Sequence, residues 1–529
     1  MEYNILIKNG MIIDGLGTPA FPGEVAIKDG KIVKVAEKIN GSAETIIDAE
    51  GMVVSPGFID PHAHNDGYIF LDPSNMYKLA QGVTTEISGN CGESLFPVSE
   101  KFFDETFNYY ASYYPTEAAM RNYTTAKNFF SDVKQLPLGN NVGYLCAHGS
   151  LRMSSMGFAS RQATTEELEA MKAMLTEAME SGAMGMSCGL VYSPGCFADT
   201  EELTELCKIV KAYDGVFTVH MRSEGFGLIQ AIKEVIEIAR KSGVRTIISH
   251  LKALGRNFWG MSVEALALIE QAQADGLEIF CDQYPYTTCS TMLHWVIPNE
   301  YTEGGMLKMC ERLAEPEVRE RIKGMFDNKF GPWDNLMENF TPAGIYVLKA
   351  DHSPDAIGKS LQDYADSING DPYELLFDII IADKADVIAA FEAMSEEDIG
   401  RIMQKDYCMV GSDGIVVKPE EKTHPRLTSA FPRVLGKYVR EENVVPLEKA
   451  IRKMTSLTAS VLGLEEKGQL SEGYDADICI FNPATVKDTG TLADFNQLPE
   501  GIQYVLVNGK VALQNGQYTN AASGNLVLK

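Results

Sequence analysis

Gly215-Val216-Phe217-Thr218-Val219-His220, Arg245-Thr246-Ile247-Ile248-Ser249-His250 and Glu278-Ile279-Phe280-Cys281-Asp282 are three short apolar runs, each closing on a polar residue. Their length and their β-branched and aromatic content favour strands over buried helices. Amphipathic helical stretches separate them, Leu228 to Lys241 and Val263 to Asp275. Upstream, Val142 to Ala147 reads as another strand. Thr165 to Ser181 reads as a helix capped by Thr164 or Thr165 and ended at Gly182. Alternating strands and helices predict a parallel sheet with helical crossovers. Sustained over roughly 400 residues, the pattern suits an α/β barrel with insertions. His220 and His250 then fall at the C-terminal tips of strands, the face on which such barrels carry their active sites.

The two ends of the chain have a different rhythm. Residues 1–57 hold short apolar strands, Ile5-Leu6-Ile7, Met11-Ile12-Ile13, Glu24 to Ile27 and Lys31 to Val35. Asn9-Gly10, Asp14-Gly15 and Asp29-Gly30 divide them as hairpin signals. Met52 to Asp60 reads as a buried strand with a break. Residues 465–529 return to strands and turns, with Ile478 to Phe481 and a hairpin over Tyr504 to Val511. The expected organisation is one small β-sandwich built from both termini, 1–57 and 465–529, beside a β/α barrel over 58–464. A segment at about 292–342, rich in charge, Gly and Pro and helix-like from Glu315 to Phe326, reads as an inserted lid-like subdomain.

The chain has 529 residues, 45% of them hydrophobic, enough for a large core and more than one compact unit. The formal net charge of −27 repels phosphate backbones and excludes a nucleic-acid partner. No run of about 18 apolar residues is present, so no membrane span is expected. Met1-Glu2-Tyr3-Asn4 lacks the basic and apolar regions of a secretory signal. The 10 cysteines are scattered without a CxxC pair and read as free thiols, so a cytoplasmic chain is expected.

Histidine is scarce, at eight residues, and four of them sit at predicted strand ends: His62, His64, His220 and His250. In His62-Ala63-His64 the i,i+2 spacing sends both rings to one face of an extended chain. One such pair, or one lone strand-end His, is more often structural. All four at one barrel face favour a metal site, and neutral imidazole suits Zn²⁺. Asp413, in Val410-Gly411-Ser412-Asp413-Gly414, follows an apolar run that can be a late barrel strand. Alone it reads as a turn residue. Beside the histidines it reads as a metal ligand and proton carrier. Cys91, in Gly89-Asn90-Cys91-Gly92 after the probable second barrel strand, is either a zinc ligand or a buried apolar thiol. Spacing leaves both readings open.

Gly57-Phe58-Ile59-Asp60-Pro61-His62-Ala63-His64 resembles the first-strand motif of the amidohydrolase superfamily. Gly89-Asn90-Cys91-Gly92, Gly149-Ser150-Leu151-Arg152, His220-Met221-Arg222, Ser249-His250-Leu251-Lys252, Asp282-Gln283-Tyr284-Pro285-Tyr286, Gly411-Ser412-Asp413-Gly414, His424-Pro425-Arg426-Leu427 and Phe431 to Gly436 narrow this to a resemblance to the D-aminoacylase (N-acyl-D-amino-acid deacylase) family. It runs in family order from Ile5 to about Val511. The resemblance implies a distorted TIM (β/α)8 barrel, the β-sandwich and the insertion. It implies that Cys91, His220 and His250 hold a tight zinc, with His62, His64 and Asp413 forming a second, weaker site. It further implies that Asp413 is the catalytic general base and acid. Arg426, Lys252, Tyr284 and Ser290 would then bind the α-carboxylate of a small N-acyl amino acid. There are departures. His250-Leu251-Lys252 stands where the family often has two histidines, Ser223 replaces a familiar acidic residue with Glu224 one place later, and Leu348 to Ser353 matches weakly. These touch the side-chain pocket and leave the ligand set whole. The rival readings are a cyclic-amide hydrolase of the dihydropyrimidinase or dihydroorotase kind, a dipeptidase, and a non-catalytic scaffold. The first usually relies on a carboxylated lysine where this chain has Cys91, and the last typically loses ligands.

Overall fold

The computed structural model describes residues 1–110, 117–326, 337, 340–418, 421–492, 494 and 497–529. The barrel is laid out in two parallel sheets. Phe58–Asp60, Val83–Ser88 and Asn141–Tyr144 form the first. Cys146–Ala147, Gly185–Gly189, Val216–His220, Arg245–Ile248, Ile279–Gln283 and Cys408–Val410 form the second, in that order. Asn141–Tyr144 and Cys146–Ala147 are one strand broken at Leu145, so eight strand positions run around the barrel. The ring closes above its last strand, where Gly414–Ile415 pairs in parallel with Ala63–His64 and Asp413 N–H donates to the His62 carbonyl at 2.8 Å. At the junction of the two sheets the chain's own tail is inserted. Val142 N–H donates to Asn525 O and Val527 N–H to Val142 O, and Leu528 packs where a Cβ on Gly182 would stand.

The outer helices follow the sequence pattern closely. Thr165–Glu180 begins with a capping box between Thr164 and Glu167, which satisfies two otherwise unpaired N–H groups. Leu228–Ser242 buries Leu228, Ala231, Ile232, Val235, Ile238 and Ala239 along one stripe, and stops where Gly243 takes φ 72°. Inside the barrel the floor is apolar. Ile59, Ile87, Leu145, Met184, Val216, Ile247 and Met409, one from each of seven strand positions, pack on Leu457, Val461 and Leu462 of the helix Ser456–Leu462. The polar residues sit at the opposite, C-terminal ends of the same strands, so one barrel has a dry base and a chemically loaded mouth.

Both chain ends share one nine-stranded sheet. Val53–Pro56 is its hinge, parallel to Tyr3–Ile12 and antiparallel to Ile478–Phe481. Ile7, Val25, Ile27, Ile478, Ile480 and Leu506 gather into one core against it. The break in the Met52–Asp60 strand falls at Gly57. A Cβ there would stand 2.2 Å from Thr84 Oγ1, so only glycine lets the chain leave the terminal sheet and enter the barrel. One expectation needs correction. Asn9-Gly10 is not a hairpin turn but a bulge within the single strand Tyr3–Ile12, with Asn9 at φ 59°. The bulge lets the strand change partners, from Ala43–Asp48 before it to Val53 and Val54 after it. Asp29-Gly30 and Asn508-Gly509 do turn hairpins.

The segment expected as an insertion at 292–342 lies within a longer departure from the barrel rhythm. Thr288–Met292, Ile345–Lys349 and Ile388–Glu392 form a separate antiparallel sheet in the order first, third, second. It carries Met306–Leu313, Pro316–Phe326, Leu361–Ile368 and Pro372–Ala382. Residues 327–336, 338 and 339 of that insertion are outside the described residues. Among the described residues, no helix is long and apolar enough to cross a membrane.

Candidate metal centre

The six ligand candidates arrive at the mouth from five strand positions, His62 and His64 together from the first, and three of them arrive in left-handed backbone. Cys91 has φ 53°, His250 φ 35° and Asp413 φ 50°. Each such residue costs on the order of 1 kcal/mol or more, and such strain concentrates where side chains must be aimed at a reacting centre. The result is two overlapping donor groups, each with its ligand atoms within 4.8 Å of one another: His62, His64, Cys91 and Asp413, and Cys91, His220 and His250. The Cys91 sulfur belongs to both. It lies 3.2 Å from His62 Nε2 and 3.5 Å from His250 Nε2. Asp413 Oδ1 lies 3.1 Å from His64 Nε2 and 3.4 Å from His62 Nε2.

The rings are oriented from behind. Asp282 sits 3.2 Å from His62 Nδ1, and also accepts the His250 backbone N–H at 2.8 Å. Glu224 lies 2.9 Å from His250 Nδ1 and 2.6 Å from Lys252 Nζ, while Lys252 Nζ is 2.7 Å from the same Nδ1. With Nδ1–H of each ring given to its carboxylate, Nε2 of His62 and of His250 turns a lone pair to the cluster. His220 is the exception. Among the described residues neither ring nitrogen of this buried residue has a hydrogen-bond partner, and its Nε2 lies 3.6 Å from Glu224 Oε2. A buried imidazole left this way is costly unless a ligand atom takes its lone pair.

The electrostatics agree with a cation site. Burial, with the charge of Lys252 adding at His250, holds His220 and His250 well below the usual histidine range, in the neutral form that ligates. Burial and the nearby charges of Asp413, Glu93 and Asp282 push the Cys91 thiol well up. Only a bound cation reverses that and makes it a thiolate. Burial also works against ionisation of Asp413, but the charges of Arg426 and His62 and the His64 contact outweigh it and keep the carboxylate ionised. The donor set of thiol, imidazoles and carboxylate is that of zinc, and it leaves room for further ligands.

The centre opens into a small cavity walled by Tyr192, Trp295, Thr291 and Ile415 as well as by His64, Cys91, His220, His250 and Asp413. The candidate carboxylate-binding residues come together on one side. Lys252, Tyr284 and Ser290 line the cavity. Arg426 does not line it directly. It is buried over the Tyr284 ring at 4.7 Å, with Nη1 2.7 Å from Asp413 Oδ2 and Nη2 donating to Ser290 O. Its Nε and the Ser290 hydroxyl have no hydrogen-bond partner. Lys252 is committed to Glu224, the carboxylate behind His250, so it acts on the metal side as well as on the cavity.

Sequence reading missed Asp282 and Glu224 as supports, and Tyr192, Trp295 and Glu93 as wall residues. Asp282 could have been found, since it closes a strand on the same face as His220 and His250. Glu93, two residues beyond Cys91, faces the cavity with its carboxyl raised to about 7 by burial. Tyr192 stands in a loop and Trp295 in the short 3-10 helix Leu293–Val296, and their rings meet His220 edge-on at 5.0 and 6.4 Å only through the fold.

A model of the amidohydrolase family matches residues 45–283 and 386–513. The chain is 32% identical to a D-aminoacylase of Alcaligenes xylosoxydans xylosoxydans, over 100% of this chain and 98% of that one. It is 33% identical to an N-acyl-D-glutamate deacylase of the same organism, over 96% and 93%. A crystal structure of N-acyl-D-glutamate deacylase from Bordetella bronchiseptica, holding zinc and a phosphonate inhibitor that mimics the tetrahedral intermediate, superposes with a TM-score of 0.85, 32% identity and full coverage of both chains.

Proposed function

The chain belongs to the amidohydrolase family, in its D-aminoacylase branch, and from that premise we propose that it is a zinc-dependent hydrolase that cleaves the amide of N-acyl-D-amino acids. One observation carries the reading. Around Asp413 stand a buried imidazole, His220, whose ring nitrogens make no hydrogen bond among the described residues and whose Nε2 lies 3.6 Å from Glu224 Oε2, and a buried guanidinium, Arg426, paired with Asp413 through Nη1 but with Nε left unbonded. The first calls for a cation and the second for an anion, which is what a metal-activated hydrolase of a carboxylate-bearing amide requires.

Cys91, His220 and His250 hold the tight zinc, and His62, His64 and Asp413 offer a second site through the shared sulfur. Zinc held there supplies Lewis acidity, polarising a carbonyl and shifting the pKa of water towards about 7. Ser290, Tyr284 and Lys252 on one wall, with the Arg426 guanidinium packed on Tyr284 behind them, take the α-carboxylate and fix which face of the substrate meets the centre. Asp413 takes the proton from the attacking water at Oδ1 and delivers it to the departing nitrogen, which leaves poorly unless protonated. Arg426 on Oδ2 keeps the carboxylate ionised between these transfers. The products are a carboxylic acid and a free D-amino acid. Ten free cysteines support placement in a reducing cytoplasm.

The test is amine release from matched panels of N-acetyl-D- and N-acetyl-L-amino acids by the zinc-loaded protein. Hydrolysis confined to the D panel is expected. Equal cleavage of both panels, or of neither, would sink the reading.

A further inference from the structure

Lys78, on the short helix Met76–Leu79, is fully withdrawn from solvent and takes no part in the chemistry described above. Its ammonium donates to Asp60 Oδ2 at 2.5 Å and to Ser412 Oγ at 2.7 Å, and lies 3.7 Å from Glu86 Oε2. Asp60 and Glu86 are buried as well, and Glu86 Oε1 accepts from the side-chain amides of Asn65 and Asn75. A buried ion pair is a weak source of net stability, because desolvating the charges offsets their attraction; its better attested use is to fix a register.

The register fixed here is the seam of the barrel. Asp60 Oδ1 accepts two backbone N–H groups, from His62 after the first strand at 3.1 Å and from Ser412 after the last at 3.0 Å. The Ser412 hydroxyl is saturated. It accepts from Lys78 and from Gly414 N–H at 3.0 Å, which leaves its one proton for the His62 carbonyl at 3.3 Å. That carbonyl also accepts Asp413 N–H at 2.8 Å. Asp413, in left-handed backbone, is thus bracketed by two residues whose N–H groups the net holds, Ser412 before it and Gly414 after it. Such strained backbone persists only where its surroundings over-determine it. His250 is supported by other groups, Asp282 and Glu224, so the net acts on one side of the centre.

Resting on the deacylase reading above, we propose that Lys78 is a positioning residue for the reaction: through Asp60 and Ser412 it holds Asp413 in the left-handed backbone from which its carboxylate reaches His62, His64 and the reacting water. Lys78 touches neither substrate nor ligand. Without its ammonium, Asp60 loses its counter-ion, the Ser412 hydroxyl is free to turn, and the Asp413 backbone relaxes to an ordinary φ that swings Oδ1 off the centre. Misplacement of a reacting group by about 1 Å costs about a hundredfold in rate. Ser290, Tyr284 and Lys252 stand outside the net, so the loss falls on kcat and leaves KM in place.

The experiment compares Lys78→Met and Ser412→Ala with the wild-type protein in kcat, KM, zinc content and urea midpoint. Ser412→Ala deletes one oxygen atom and leaves the Lys78–Asp60 pair whole, so it decides the matter if Lys78→Met does not fold. Both folded variants are expected to keep wild-type zinc and a KM within about twofold while kcat falls by at least about tenfold. Wild-type kcat in either folded variant overturns the inference. So does a loss of activity that follows zinc content or a rise in KM, since the net then serves metal or substrate binding. An unfolded Ser412→Ala protein assigns the net to stability alone and overturns it too. Each of these results requires an active wild-type enzyme; a wild-type protein inactive on every N-acyl-D-amino acid sinks the deacylase reading together with this one.

Discussion

Nη1 of Arg426 lies 2.7 Å from Oδ2 of Asp413, with both side chains withdrawn from solvent. One guanidinium thereby serves the proton carrier while keeping Nε free of any protein partner. Arg426→Lys keeps a positive charge but loses the planar fork. We expect KM for N-acyl-D-amino acids to rise by about tenfold or more, with a smaller loss in kcat. Steady-state kinetics on the best D substrate decides it, and an unchanged KM would remove Arg426 from carboxylate binding.

Cys91 and Asp413 separate metal holding from proton transfer. Cys91→Ala removes the atom common to both donor groups, so tightly bound zinc and turnover should be lost together. Asp413→Asn leaves Cys91, His220 and His250 intact, so it should keep zinc while kcat falls by at least about a thousandfold. Elemental analysis beside activity reads both. Zinc-loaded, active Cys91→Ala protein would contradict the ligand assignment, and an active Asp413→Asn enzyme would mean another group moves the proton.

Glu224 is 2.9 Å from His250 Nδ1 and fixes which nitrogen faces the centre. Outer carboxylates of this kind are worth about 10–100-fold in metal affinity. Glu224→Gln should weaken zinc binding by that factor in competition with a chromophoric chelator. Affinity equal to wild type would mean that Glu224 does not fix the His250 ring.

Away from the centre, Glu202 binds Arg152 at 2.7 Å and His148 at 2.7 Å in a buried triad. Burial opposes ionisation, but the His148 hydrogen bond and the charges of His148 and Arg152 outweigh it, and the Glu202 carboxyl is lowered from 4.5 to about 2. A depressed carboxyl stabilises the fold fully above its unfolded pKa. That stabilisation fades as pH falls from about 4.5 towards 2. Glu202→Gln should cost about 2–3 kcal/mol at pH 7, and the gap to wild type should narrow below pH 4.5. Urea unfolding at pH 7, 5 and 3.5 measures it, and a gap that stays constant with pH refutes the linkage.

The sequence by itself determined the alternation of strands and helices, because each local segment carries its own period and its own caps: Thr164 and Glu167 start a helix and Gly243 ends one wherever they are placed. It also marked His62, His64, His220 and His250, since strand-end position is a local property. Pairing is not local. That Asn9-Gly10 is a bulge depends on Val53 and Val54 lying beside Met11 and Ile12, which the first thirty residues do not contain. Only the tertiary structure decided that the Cys91 sulfur joins two donor groups and that Asp282 and Glu224 stand behind the histidine rings. Those relations join residues up to 220 positions apart, brought within hydrogen-bond reach by the closure of one barrel, and no periodicity along the chain encodes them.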